Sequence, residues 1–242
     1  FHDVERPVLN STGDYYLVVD GVSGNTTAVA YTFSVGLTND QTFAYTIGTV
    51  QSGNINVAGK KDTYSFDLVS PTLVYMDSRV SSTASVIWTL TGPSGTVIPA
   101  NTSLNDTTTT NTVIPLVAGH YEFTIDAAID IIGAYEFRLV DLLATGPNAL
   151  PTLTIPQVGS QFIQPNTTLS AASLGREAHV YKLNKDTVGG LQPIAAGDLF
   201  YFDRGGDSMT WKLYDQFGRQ VFGFGTFSSS DSDRPVLNST GD

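Results

Sequence analysis

The sequence predicts an all-β protein: two tandem antiparallel β-sandwich domains of jelly-roll-like form, one of them split across a repeat boundary. Apolar and polar residues alternate with a period of two in the strongly patterned segments. Gly, Pro, Asn and Asp interrupt these runs at short intervals, as in TGPSG and DQFG. Motifs also recur in the same order in the two halves of the chain, as they would in homologous domains.

Each strand follows from its alternation. Tyr64, Phe66 and Leu68 are separated by Ser65 and Asp67, Tyr121, Phe123 and Ile125 by Glu122 and Thr124, and Tyr135, Phe137 and Leu139 by Glu136 and Arg138. Such a segment buries one face and wets the other. Tyr31, Phe33 and Val35, with Thr32 and Ser34 between them, predict a further strand. The run DAAIDII over residues 126–132 is expected to be a loop, and no long amphipathic helix is predicted. Trp88 and Trp211 are expected in the core, on the central strand of each domain.

The repeats set the domain limits. Arg6 to Asp14 reads RPVLNSTGD and Arg234 to Asp242 reads the same nine residues, an offset of 228. A weaker repeat lies inside this one. LVYMD (73–77) matches LFYFD (199–203), and SVIWTLTGPSGTVI (85–98) matches SMTWKLYDQFGRQVF (208–222). Read cyclically, VAGHYEFTIDA (117–127) matches STGDYYLVVDG (11–21), and GAYEFRLVDL (133–142) matches VAYTFSVGL (29–37). The expected domains are a complete sandwich over 38–148 and the N-terminal part of a second over 149–242. Residues 1–37 are then the last strands of a preceding split sandwich. The second sandwich should be completed by the next copy, with Tyr15, Leu17, Val19, Tyr31, Phe33 and Val35 as the inter-repeat strand contacts.

Composition removes several function classes. With 12 Lys+Arg against 23 Asp+Glu, net charge −11, the chain lacks the cationic clusters that neutralise phosphates, so nucleic acid is not an expected partner. The absence of Cys excludes disulfides, thiolate metal sites and a cysteine nucleophile. No apolar run reaches the ~18 residues that span a bilayer, and no membrane insertion is expected within this segment. A surface rich in Thr, Ser and Asn with 14% charged residues suits a secreted or cell-surface protein.

The strand DTYSF (62–66), the strand-turn-strand WTLTGPSGTV (88–97), AGHYEF (118–123) and the closing AYEFRL (134–139) together resemble the bacterial pre-peptidase C-terminal domains. That resemblance implies an extracellular, non-catalytic β-sandwich module, in some members binding calcium or a polymeric ligand. The acidic pair usual before the family's central strand is absent from 81–86.

Candidate chemistry is sparse. Gly206-Asp207-Ser208-Met209 resembles the nucleophile block of secreted esterases, but no His follows Ser208 to act as its base, so a glycine-rich turn is preferred and no catalytic residue is assigned. His2, His120 and His179 are scattered. Asp203, Asp207, Asp231 and Asp233 offer the hard oxygen ligands that calcium takes, without the spacing of a known loop, and solvated carboxylates are the preferred reading. No other cofactor is expected. Six N-x-S/T sequons, at Asn10, Asn25, Asn101, Asn105, Asn166 and Asn238, open those positions to glycosylation. The leading functional expectation is a structural repeat unit of an extracellular fibre, filament or giant surface adhesin, whose partners are neighbouring copies. The alternative is a carbohydrate- or protein-binding accessory module of a secreted hydrolase.

Overall fold

The structure is a computed structural model that describes residues 9–33, 35–81, 86–107, 110–127, 132–155, 176–187, 190–199 and 210–224. Among these residues nearly all regular structure is β, with one 3-10 turn at Gly146–Asn148. The first nine strands are β1 (Gln41–Ala44), β2 (Gln51–Ile55), β3 (Asp62–Leu68), β4 (Thr72–Ser78), β5 (Val86–Gly92), β6 (Gly95–Ser103), β7 (Val113–Leu116), β8 (Gly119–Ala127) and β9 (Gly133–Asp141). They form two sheets, ordered β1-β3-β8-β5-β6 and β2-β9-β4-β7. The residues that alternate in the sequence face each other between these sheets.

From the five-stranded sheet come Tyr64, Phe66, Trp88, Leu90, Tyr121, Phe123 and Ile125; Ile55, Val74, Met76, Tyr135, Phe137 and Leu139 meet them from the other. Phe123 and Phe137 stack across the interface with ring centroids 4.4 Å apart, and Trp88 stacks on Phe123 at 5.0 Å. Each such side chain contributes ~1.5–3 kcal/mol by leaving water. Trp88 meets the core expectation at 2% exposure, and its indole N–H donates to the Ser103 carbonyl at 3.2 Å. Gly53 and Gly92 lie flat beneath the rings of Tyr135 and Tyr121, where any Cβ would collide.

The pole of the sandwich at Asp62 is closed by a buried polar cluster. Asp62 Oδ2 accepts from the Tyr135 hydroxyl at 2.7 Å and Oδ1 lies 2.9 Å from Lys60 Nζ, while the Tyr64 and Tyr135 hydroxyls are 2.7 Å apart. Burial, followed by these two hydrogen bonds, pushes the Tyr135 hydroxyl far above its ordinary value. Tyr45 ties the β1–β2 turn to β9: it donates to the Thr49 carbonyl at 2.8 Å and accepts from Leu139 N–H at 3.0 Å.

Five further strands follow: β10 (Thr152–Ile155), β11 (Lys182–Thr187), β12 (Gly190–Pro193), β13 (Trp211–Tyr214) and β14 (Gln220–Phe224). They form a β10-β11-β12 sheet and a separate β13-β14 hairpin. Ile194 is buried among Ile155, Leu183 and Leu213 in a small second core.

Two expectations need correction. The sheets are not wholly antiparallel, because β1 runs parallel to β3 and β10 parallel to β11. In the first sandwich β2 makes the return run in the opposite sheet, which leaves β1 and β3 as neighbours pointing the same way. The strand predicted at Tyr31–Val35 is not seen: of the described residues, none from 9 to 40 lies in a strand. An extended segment without a neighbouring strand has no ladder to join. The loop expected over 126–132 lies partly outside the described residues; Asp126 and Ala127 still belong to β8.

Candidate functional site

β8 and β9 are the strands that hold each sheet of the first sandwich together. β8 pairs with β3 on one side and β5 on the other, and β9 likewise lies between β2 and β4. Without β8, the five-stranded sheet would fall into a parallel pair, β1-β3, and a hairpin, β5-β6. The second half of the chain presents comparable pieces, with β12 paired to the other edge of β11 from Asn184 to Thr187. β10 and β11 are the parallel pair, and β13 and β14 are the hairpin matched by the sequence repeat around Trp88 and Trp211. Among the described residues no strand joins β11 to β13.

The sequences that match β8 and β9 lie elsewhere, in 11–21 and 29–37, and they are exposed. Tyr15, Leu17, Val19, Tyr31, Phe33 and Val35 all face solvent, Tyr31 at 64% and Phe33 at 61% of their full surface. Their rings stack on one another at 6.3 Å, as side chains two apart do on one face of an extended chain. A turn closed by the Asn25 N–H on the Val22 carbonyl, at 3.0 Å, separates the two runs. Tyr16 and Val18, on the other face, are exposed too.

The two halves meet across the outer face of the four-stranded sheet. Asp77, wholly buried, accepts from Arg79 Nε at 3.3 Å, from Arg138 Nε at 3.1 Å and from the Ala178 N–H at 3.0 Å, and Arg138 Nη2 donates to the Ala178 carbonyl at 2.6 Å. Arg79 also pairs with Glu136 at 3.1 Å. Burial pushes the Asp77 carboxyl up, against the pull of Arg138 and Arg79. Nearby, burial raises Asp106 to about 6, although its Oδ1 accepts from Asn111 Nδ2 at 2.7 Å. Lys212 reaches from β13 to the Asn111 carbonyl at 2.6 Å, and burial lowers its pKa. Tyr75 and Tyr214 pack edge to face at 6.3 Å. This charged seam was missed in the sequence, where Arg138 reads as an outward position on a strand and Asp77 only as part of the LVYMD repeat. Trp211 is half-buried, less than expected.

The remaining candidates are dispersed. His120 sits exposed on β8 with Nδ1 2.9 Å from Asp67, and His179 lies 3.4 Å from Glu177. His2, the Gly206–Met209 block, and Asp203, Asp207, Asp231 and Asp233 lie outside the described residues, within which no group of three or more acidic or histidine side chains is placed to hold a metal. Asn10, Asn25 and Asn101 are exposed, Asn101 in left-handed conformation at φ 66°. Asn105 is half-buried, in an isolated bridge to Val80, and Asn166 and Asn238 lie outside the described residues. A shallow cleft near the β3–β4 turn is lined by Tyr45, Ile47, Leu68, Pro71 and Leu143.

No protein-family model matches the sequence, and no curated protein matches it. Among solved structures, the chain is similar to the pre-peptidase C-terminal domain of a collagenase from Bacillus anthracis. The two are 14% identical, with a TM-score of 0.33 over 44% of this chain and 99% of that one. The assignment as all-β rests on the strands described above.

Proposed function

We propose that the chain is a structural repeat unit of an extracellular fibre or surface array, joined to neighbouring copies by β-strand complementation and carrying no catalytic site. The observation that supports it is a complementary pair of defects. The second half holds the flanking pieces of a sandwich whose two central strands are not among its described elements, and residues 11–37 resemble those strands yet stand exposed. Unsatisfied strand edges and exposed apolar faces are both relieved when one copy's segment enters the next copy's opening. The 228-residue return of RPVLNSTGD gives such joints a regular spacing. The exposed aromatic rings favour this over a ligand-gripping accessory module. Tyr15, Tyr16, Tyr31 and Phe33 lie in the donor segment itself, leaving only Phe43 and Phe217 elsewhere among the described residues.

The test is self-association of the 242-residue chain by sedimentation velocity and negative-stain microscopy. Concentration-dependent polymers with a two-domain axial repeat are expected, and Tyr31→Asp with Phe33→Asp should abolish them. A compact, concentration-independent monomer would refute the proposal.

A further inference from the structure

We infer that the first sandwich is built to resist tension applied along its strands, and that the parallel β1–β3 ladder is the element that resists it. This rests on the array reading for its purpose, while the mechanics follow from where the chain enters and leaves. Asp40 and Gln41 stand beside the start of β3: the Lys61 N–H donates to Asp40 Oδ1 at 3.0 Å, and the Gln41 N–H donates to the Lys61 carbonyl at 3.1 Å. Tyr135, near the start of β9, lies at the same pole, bonded to Asp62. From there β9 runs to Asp141, which accepts from the Thr72 hydroxyl past the far end of β3 at Leu68. The chain therefore enters the sandwich at one pole and leaves it at the other.

A pull on those two ends runs along the strands, whereas the bonds of a ladder lie across them. β1 can then leave only by sliding along β3, so its bonds share the force. An antiparallel β1 would bring entry and exit to one pole, where a pull prises the two sheets apart. β1 pairs with β3 from Gln41 opposite Asp62 to Ala44 opposite Ser65, and the Tyr45 N–H adds a bond to the Ser65 carbonyl at 2.8 Å. Tyr45 also anchors the end of the strand. Its ring is buried 5.4 Å from that of Phe137 and 6.1 Å from that of Phe66, and its hydroxyl accepts from the Leu139 N–H at 3.0 Å. Sliding β1 out past Asp62 must draw this ring through the core. β9 is held on both sides, by β2 and β4, so the one-sided β1 decides the resistance. The second half opens in the same way, with β10 parallel to β11 from Thr152 to Ile155.

The chain has no Cys, so pairs of thiols introduced into the 242-residue chain set the direction of pull in single-molecule force spectroscopy. Asn39→Cys with Thr145→Cys pulls from pole to pole. Asn39→Cys with Ser70→Cys slides β1 along β3 directly, and Asn39→Cys with Asn56→Cys opens β1 from its start; all four positions are exposed. At one loading rate the first two chains should unfold at similar forces, at least about twofold above the third, because forced unfolding follows the barrier of the path taken. Equal forces in all three overturn the resistance. A weak response with Ser70→Cys beside a strong one with Thr145→Cys overturns the role of β1. The forces are read on single molecules, so either failure leaves strand exchange between copies standing, and a chain that fails to self-associate should still show the expected forces.

Discussion

The backbone N–H of Ala178 donates to Oδ1 of Asp77 at 3.0 Å, across 101 residues of sequence. This bond places a carboxylate of the first sandwich under the chain that leads into β11. The same carboxylate pairs with Arg79 and Arg138, so one side chain serves both the first sandwich and the chain that leads into β11. Asp77→Ala would remove the carboxylate that Arg138 and Arg79 share and the acceptor of the Ala178 N–H, leaving Arg79 its pair with Glu136. Breaking such a network costs about 3–5 kcal/mol. We expect a loss of that size in chemical denaturation and faster hydrogen exchange at Ala178; an unchanged Ala178 amide would show that the seam does not depend on Asp77.

Asp106 should make the protein lose stability as pH rises from about 4 to 6. Burial raises its folded pKa from 3.8 to about 6, so the folded state holds the proton more tightly than the unfolded chain. The stabilising contribution is complete below the unfolded pKa and is lost as pH climbs through the folded one. Allowing for partial exposure, the loss is on the order of 1–2 kcal/mol. Asp77, also raised, adds to the same slope in any chain that retains it. The difference between the parent and Asp106→Asn therefore isolates Asp106, and parallel stability–pH curves for the two would contradict the assignment.

Gly53→Ala should destabilise the first sandwich through Tyr135. The added methyl meets the Tyr135 ring, which can withdraw only by giving up Asp62 and Tyr64. A cost of about 1–3 kcal/mol is expected from overpacking. Combining it with Tyr135→Phe should give less than the sum of the two single effects, since both act on the same hydroxyl. Full additivity would place the damage elsewhere.

The two tryptophans should report assembly differently. Trp88 is sealed in the first core, whereas Trp211 is half-buried at the start of β13, where the proposed joint would cover it. In the Trp88→Phe chain, emission from Trp211 should shift to the blue as concentration rises. In the Trp211→Phe chain, Trp88 emission should stay constant. A constant Trp211 spectrum through polymer formation would mean that the joint forms away from β13.

The alternating aromatics made β3, β8 and β9 legible, because a half-buried strand writes its two faces into a period of two. Tyr121, Phe123 and Ile125 could be read as one inward face without any coordinates. The parallel pairing of β1 with β3 could not, since it depends on β2 crossing to the other sheet. Nor could the Asp77 seam: a carboxylate on an outward position reads as solvated until another part of the chain covers it.

By itself the sequence determined which residues want a dry face, down to Tyr31 and Phe33, and that two stretches of it copy β8 and β9. Local pattern suffices there, because burial preference is a property of each side chain. Only the tertiary structure decided that those stretches stay exposed while β11 and β13 remain in separate sheets. Strand pairing needs a partner edge in space, and which edges are filled is settled by the whole fold.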